Sequence, residues 1–386
     1  MAVVALSGCK GLNEKHGNKP VSKGGAPDVS ASSTSESGTE ELGFPVTATK
    51  NTTRVPGADS VADVAGVASA VFPSTSPENR PNAVAMVDKA NWQGAIAASV
   101  LMARPLGVPI LLSDGGKLAP VSNNTLTRLK PRGSPLAQGA QIVRIGDDAA
   151  RPKGYRTARI SAPDPYELAA DIDRFFSVAR SKPSPDVVIV SGEQPAFAMP
   201  AAAWAARAGD SVLFVRHDVV PPATREALRR HEHPNIYVLG PSTVIGPKVT
   251  KVLRKLGNVS RVGGPTPVTN AIAFTRYQSH GFGWGISTPG QNFTVASTSR
   301  PSDAAAAAVL ATTGVFAPLL LTDRADDLPS SLESYFLDVQ PGYQSNPNAG
   351  VFNHVWILGD DNVLSVAAQG RLDTITELVP VQTQRP

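Results

Sequence analysis

The stretch Arg54-Val-Pro-Gly57 decides the fold, because it is the first of three similar openings along the chain. The other two are Arg159-Ile-Ser-Ala162 and Arg261-Val-Gly-Gly264, and the three arginines lie 105 and 102 residues apart. Each opening precedes a segment in which apolar residues recur at helical spacing. Repetition at this period indicates three copies of one structural unit.

The same elements follow each opening in the same order. After the helix come an apolar strand, an Ala-rich stretch, a second apolar strand, a turn with Pro, and a closing strand that runs into glycine. The second strands are Pro109-Ile-Leu-Leu112, Ser211-Val-Leu-Phe214 and Pro318-Leu-Leu-Leu321, the closing glycines are Gly146, Gly240 and Gly359, and Ser122, Thr224 and Ser330 are N-cap candidates for the helix after the turn. Continuously apolar strands are typical of sheets covered on both faces. The pattern predicts an α/β fold of three tandem three-layer αβα repeats with mainly parallel sheets.

Length and composition agree with this organisation. A chain of 386 residues exceeds one ordinary core, and units of about 100 residues match the usual domain size. We assign residues 1–9 to a truncated signal, 10–48 to a flexible linker poor in apolar residues, and 49–153, 154–258 and 259–386 to the repeats. The net charge of +4 permits a polyanionic partner, and the single cysteine excludes an internal disulfide framework.

That cysteine follows Leu6-Ser7-Gly8, and the order apolar, small, small, Cys looks like a bacterial lipobox. Acylation of Cys9 would tether the protein to the membrane, with the linker as a spacer. The alternative is a chance tetrapeptide. Elsewhere no uncharged apolar run approaches the roughly 18 residues that a membrane span needs.

The repeated motifs resemble the type 2 cell-wall-binding repeat of Gram-positive bacterial surface proteins. The resemblance covers about residues 50–379, and three tandem copies are usual in that family. Three departures stand out: the family Asp before Ala survives only as Asp303, the middle copy lacks Pro-x-Leu-Leu, and no copy closes on a complete Gly-Gly. The resemblance implies a pseudo-threefold cluster of repeats that holds an anionic wall polymer without covalent chemistry. It also implies that the opening arginines and the ends of the Pro-x-Leu-Leu strands lie near the grooves between repeats.

Two sets of candidate binding residues follow from the position of the repeated motifs. Open α/β sheets place ligands at the carboxyl ends of their strands, which points to Ser113, Asp114, Thr322 and Asp323. The leucines just before them have a simpler role in the sheet core. The opening arginines Arg54, Arg159 and Arg261 could each present a planar fork to an anion, or could instead fix the turn before the first helix by an intramolecular contact.

A third set is a basic helix face. Lys248, Lys251, Arg254 and Lys255 recur at helical spacing opposite apolar residues, which suits a polyanion or a merely solvated surface. Enzymatic signals are weak: G-x-S-x-G, H-E-x-x-H and Walker motifs are missing from the sequence. Gly281-Phe-Gly-Trp-Gly285 is expected to be a flexible turn into the next strand, and His231-Glu-His233 a surface turn.

The sequence therefore predicts a non-catalytic surface lipoprotein that faces the cell wall and binds an anionic wall polymer through three repeats. We expect no cofactor, no metal and no nucleic-acid partner. One alternative is a lipid-anchored solute-binding protein with a ligand cleft between repeats. Another is a wall hydrolase that uses carboxylates such as Asp303 and Asp323.

Overall fold

The protein is described by a computed structural model over residues 47–312 and 314–381. The lipobox with Cys9 and residues 10–46 of the predicted linker lie outside this part of the chain. The strands are β1 (Thr47–Ala48), β2 (Thr52–Val55), β3 (Val84–Asp88), β4 (Ile110–Ser113), β5 (Ile142–Ile145), β6 (Thr157–Ile160), β7 (Asp186–Ser191), β8 (Ser211–Val215), β9 (Asn235–Leu239), β10 (Asn258–Val262), β11 (Asn292–Ser297), β12 (Leu319–Thr322), β13 (Gly342–Tyr343), β14 (His354–Leu358) and β15 (Val379–Pro380).

Twelve α-helices alternate with these strands in the described residues. They are α1 (Ser60–Val71), α2 (Trp92–Ala98), α3 (Pro120–Leu129), α4 (Pro165–Ala179), α5 (Pro195–Ala198), α6 (Pro200–Ala208), α7 (Pro222–Arg230), α8 (Pro247–Leu253), α9 (Pro267–Arg276), α10 (Ala304–Leu310), α11 (Ser330–Asp338) and α12 (Val366–Ile375). A short 3-10 helix, Ser99–Met102, continues α2. None of the helices in residues 47–312 and 314–381 has the length and hydrophobicity that crossing a bilayer requires.

Three main sheets carry the fold. Sheet 1 has the order β4-β3-β5-β6, sheet 2 the order β8-β7-β9-β10, and sheet 3 the order β12-β11-β14-β2-β1. All their strand pairs are parallel except β1 with β2. The predicted α/β class with mainly parallel sheets is confirmed.

Each opening segment is a strand that joins the sheet of the neighbouring repeat. In sheet 1, Arg159 of β6 pairs with Arg144, and in sheet 2, Arg261 of β10 pairs with Val238. The first opening closes the ring, because Arg54 of β2 pairs with Ile357 at the far end of the chain. The sequence pattern suggested a turn before a helix at these three places, and the strand that precedes each turn was not predicted. The repeat boundaries predicted from the motifs stay a prediction, because each sheet takes strands from two repeats.

The helix after each opening strand returns to its own repeat. The helix α1 packs against β4 of sheet 1, α4 against β8 of sheet 2, and α9 against β12 of sheet 3. One strand–helix connection therefore links each pair of adjacent sheets. The Ala-rich helices meet at the centre, where α10 packs against α6 and α6 against the 3-10 turn after α2. Alanine permits this close approach, and Ala304–Ala308 are fully buried.

Two predicted N-caps have another role. The residues at the N-cap positions are Ala119 for α3 and Pro221 for α7. The Ser122 hydroxyl donates to the Leu112 carbonyl at 2.8 Å, and the Thr224 hydroxyl donates to the Phe214 carbonyl at 2.7 Å. Both side chains thus tie a helix to the end of a strand, because a hydroxyl inside the first turn faces the sheet rather than the free amides of its own helix.

Candidate functional site

The three opening arginines lie beside the closing glycines, where adjacent sheets join. Arg54 is 1 % exposed and donates to the carbonyls of Gly359, Asp360 and Leu364 at 2.9, 2.8 and 2.6 Å, and to Gln369 Oε1 at 2.8 Å. Burial lowers the pKa of its guanidinium. Because its donors are used inside the protein, Arg54 acts as an intramolecular clamp, the alternative that the sequence left open, and we leave it out of the candidate surface.

The arginine at the equivalent position forms fewer internal hydrogen bonds in the other two copies. Arg261 donates to the carbonyls of Gly240 at 2.6 Å and Ile245 at 2.8 Å, but it lies on an exposed part of β10. The Arg159 side chain is 56 % exposed, and among the described residues its one polar contact is the ion pair with Asp147 at 2.8 Å. In that copy Arg144 binds the loop instead, donating from Nε to the Ala149 carbonyl at 2.9 Å. Arg159 and Arg261 therefore present charge to solvent.

The candidates at the strand ends divide into buried and exposed residues. The Ser113 hydroxyl is buried and accepts from the Ala150 amide at 3.1 Å, and the buried Thr322 hydroxyl donates to the Arg324 carbonyl at 2.8 Å. Both shape loops and are closed to solvent. Asp114 and Asp323 are exposed, and Asp114 pairs with Lys89 at 2.7 Å. These carboxylates would repel an anionic polymer unless a cation bridged them.

The basic face predicted for α8 is present, with a difference in its local structure. Lys248 and Lys251 lie on the helix, whereas Arg254 and Lys255 lie in the turn that follows Leu253. All four are exposed, while Val249 and Leu253 on the opposite side are fully buried. Cations at the end of a helix also interact favourably with its dipole.

Few carboxylates offset this charge. The chain contains no Asp or Glu between Glu232 and Asp303. Lys248 lies 3.5 Å from Asp218, and no other member of the face pairs with a carboxylate within the described residues. The charge of Arg254 contributes to lowering the pKa of Arg261, after the larger effect of burial. The face therefore extends onto the neighbouring edge strand, and we call Lys248, Lys251, Arg254, Lys255 and Arg261 the basic surface.

A buried charge cluster that the sequence did not reveal lies where α1 meets the ends of β2 and β14 in sheet 3. Asp63 is fully buried and accepts from the amides of Gly57 at 2.8 Å and Gly359 at 3.1 Å. Arg300 reaches Asp63 at 2.5 Å, and its Nε lies 3.2 Å from Asp303. Burial raises the pKa of both carboxyls, and the charge of Asp303 raises that of Asp63 further.

This cluster gives the family Asp a structural role. Asp303 has no exposed surface, so its carboxylate is closed to a polymer chain and unsuited to hydrolysis. The sequence did show Arg300 three residues before Asp303, the spacing of an ion pair. The third member, Asp63, lies 240 residues before Asp303 along the chain. Only the closure of the ring brings the three together.

The histidine pair has no metal-binding geometry. His231 is buried between the Ser184 carbonyl at 2.7 Å and Asp173 Oδ1 at 2.8 Å, which corrects the expectation of a surface turn for this residue. Burial opposes its protonation, but the hydrogen bond and charge of Asp173 raise its pKa overall. Within residues 47–312 and 314–381 no group of three or more His, Cys, Asp or Glu could hold a metal ion.

A closed ring of three α/β units, each of which adds its opening strand to the sheet of a neighbour, is the architecture of a tandem-repeat protein. Residues 159–250 match the family model for cell wall binding domain 2 (CWB2). The chain therefore carries a domain of this family, which confirms the resemblance read from the motifs. The match falls on the middle copy, the one without the Pro-x-Leu-Leu strand.

Solved structures share this fold. Cwp8 from Clostridium difficile superposes with a TM-score of 0.62 at 18% identity, over 85% of this chain and 52% of that one. Cwp6 from the same organism gives 0.64 at 16% identity, over 89% and 54%. The chain thus spans about half the length of these proteins, and the likeness establishes the fold. Comparison with curated proteins yields no significant match.

Proposed function

We propose that this protein is a non-catalytic cell-surface protein that binds an anionic cell-wall polymer through its repeats. The family of the middle copy supports the wall as the binding partner. The observation that carries the proposal is the basic surface: Lys251, Arg254 and Lys255 are exposed without a carboxylate partner among the described residues, in a stretch without acidic residues.

The arrangement suits a polymer better than a small anion. The cations follow a helix, its terminal turn and an edge strand, so successive charges of a chain can be neutralised along one path. Contacts of this kind release counterions and make affinity depend on salt. The exposed Arg159, on the edge strand of sheet 1, would add a weaker contact elsewhere on the ring, and linked weak contacts gain from effective concentration.

The test is sedimentation with purified, protein-free cell walls at increasing salt. The variant carries Lys251→Glu, Arg254→Glu and Lys255→Glu, which reverse three exposed charges. The control carries Lys117→Glu, Lys153→Glu and Lys182→Glu, which change the net charge equally at exposed sites outside the basic surface.

We expect the first variant to bind walls weakly and the control to bind like the unaltered protein. The slope of log affinity against log salt should flatten by roughly one unit for each phosphate-like group that the variant no longer neutralises. Equal binding by the two variants, or binding by the unaltered protein that ignores salt, would overturn the proposal. Thermal melts of all three proteins show whether the fold is retained.

The proposal includes lipid anchoring at Cys9 and a position outside the cytoplasm that faces the wall. The support is the order Leu6-Ser7-Gly8-Cys9 followed by a polar segment. Mass spectrometry of the protein from its host should find Cys9 as an acylated N-terminus. An unmodified Cys9 inside a longer chain would refute the anchor and leave wall binding untouched.

A further inference from the structure

A pocket of about 500 Å³ opens at the amino ends of the strands of sheet 2. It lies at the opposite end of this sheet from the Gly240 loop, which follows the carboxyl end of β9. Its walls come from two repeats: Arg180, Arg207 and Asp210 belong to the second, and Gln278 and Trp284 to the third. The wall-binding surface proposed above does not use these residues.

The third repeat contributes an ordered turn rather than a flexible one. Phe282 is 1 % exposed and stacks on Tyr237, with ring centroids 3.5 Å apart and planes within 1°. Ser279 and Phe282 exchange two backbone hydrogen bonds of 2.9 Å. Gly283 has φ +94°, and a Cβ there would lie 2.3 Å from the Tyr277 carbonyl oxygen, so the turn requires glycine. The expectation of flexibility for residues 281–285 is corrected by this packing.

This turn fixes the partly buried indole of Trp284 at the pocket. Its ring lies edge-on to Trp204, with centroids 5.5 Å apart. The Trp204 indole N–H donates to Asp210 Oδ2 at 2.8 Å, and the Ser184 hydroxyl donates to Asp210 Oδ1 at 2.6 Å. Because both oxygens of Asp210 are occupied, its carboxylate serves to hold Trp204, which in turn supports Trp284.

Planar polar groups surround the indole. The Arg207 guanidinium lies over the Phe316 ring at 4.4 Å, and Arg180 donates through one nitrogen to the Gly209 carbonyl at 2.9 Å. Neither arginine pairs with a carboxylate in the described residues, so both retain free donors. Asp186 accepts from Asn235 at 2.9 Å and has a second oxygen available. With two arginines and two aspartates, the lining has little net charge.

We propose that this pocket binds one pyranose unit of a saccharide. A pyranose has an apolar face of C–H groups, which packs against the negative face of an indole. Its hydroxyl groups are paired donors and acceptors that match the guanidinium forks, the Gln278 amide and the Asp186 carboxylate. The lining is mostly polar, with the indole as part of its apolar wall, which suits a hydroxyl-rich ligand better than an apolar one.

The inference extends the proposed function, because the wall polymer is the natural source of such a sugar. The two sites differ in their physical basis. The basic surface neutralises charge and responds to salt, whereas stacking and hydrogen bonding to a neutral sugar release no counterions. A ligand that occupies both sites would span two repeats.

The test uses the intact protein with glucose and N-acetylglucosamine, observed by saturation-transfer NMR and calorimetry. We expect saturable binding to at least one sugar, unchanged between low and high salt, and no binding of glycerol. Trp284→Leu removes the stacking wall and Arg207→Gln removes one fork. Each should weaken binding at least tenfold, whereas Arg229→Gln, an exposed arginine elsewhere in the second repeat, should have no effect.

Absence of binding to both sugars, or equal binding by the unaltered protein and Arg207→Gln, would overturn the inference. Arg207→Gln keeps the test decisive if Trp284→Leu fails to fold, because Arg207 is exposed. Wall sedimentation of the same variants separates the two proposals. If sugar binding fails while salt-dependent wall binding persists, the pocket proposal is wrong and the basic surface stands. If sugar binds and wall binding does not depend on salt, the basic surface is wrong and the pocket stands.

Discussion

Replacing Arg54 by methionine should destabilise the protein far more than the same replacement at Arg159. The two residues occupy the same place in the repeat, on the opening strand beside a closing glycine. Arg54 donates four hydrogen bonds from a buried position, and Arg159 forms one exposed ion pair. Methionine keeps an unbranched apolar chain but has no donor, so each variant removes the polar contacts and, at the buried site, the packing of the guanidinium group.

The structure sets the size of the difference. Hydrogen bonds from a charged donor contribute about 1.5–3 kcal/mol each, so four would total about 6–12 kcal/mol. Burial of the guanidinium costs several kcal/mol in return. The net loss at Arg54 should be about 3–5 kcal/mol, because several buried neutral acceptors lose their donor and each unsatisfied one costs about 1–3 kcal/mol. At Arg159 an exposed pair contributes about 0–1 kcal/mol.

Equilibrium unfolding in urea at neutral pH, followed by circular dichroism, measures both changes. Limited proteolysis adds a local readout, because removal of the clamp weakens the pairing of β2 with β14 and exposes the opening segment. Arg54→Lys should fall between the other two variants, since an ammonium group cannot reach all four acceptors. Equal destabilisation by Arg54→Met and Arg159→Met would refute the clamp.

Two further predictions concern buried charge and pH. Burial raises the pKa of Asp210 to about 6, so its ionisation in the folded state costs about 3 kcal/mol, a penalty absent below pH 4 and complete above pH 6. Asp210→Asn should therefore gain stability relative to the unaltered protein as pH rises from 4 to 7 in urea titrations, and a difference that stays constant with pH would contradict this. Arg300→Met leaves two buried carboxyls without their cation, and both ionise mainly above pH 5. Thermal melts should therefore show a larger loss of stability at pH 8 than at pH 5. A loss that does not depend on pH would contradict the role of Arg300 in this cluster.

Much of the fold could be predicted because it follows from local patterns repeated three times. Apolar runs of four to six residues, turn residues and helical periodicity identified the three strands and the principal helices of each unit. The basic surface was also visible, because helical spacing places Lys248 and Lys251 on one side of a short helix. The buried core position of Leu111 and Leu320 agrees with the sheet role that the apolar pattern suggested.

The opening strands were not predicted from the sequence, for a physical reason. Four residues such as Thr52–Val55 carry little strand signal alone, and their partner strand lies about 300 residues away at His354–Leu358. Strand pairing depends on which edge is free in three dimensions, and this information is absent from local propensity. The roles of Arg54 and Asp63 depend on the same closure.

The repeat number, the α/β class and the resemblance of the middle copy to its family can all be read from the amino-acid sequence, since they follow from the period and order of local patterns. The different roles of the opening arginines, one a buried clamp and one exposed, become visible only in three dimensions, because the loops and helices that cover the three openings differ. The same holds for Trp284 and Arg207, which come from different repeats and line one pocket. Ring closure brings together residues that are distant in the chain, and local sequence carries no signal of that contact.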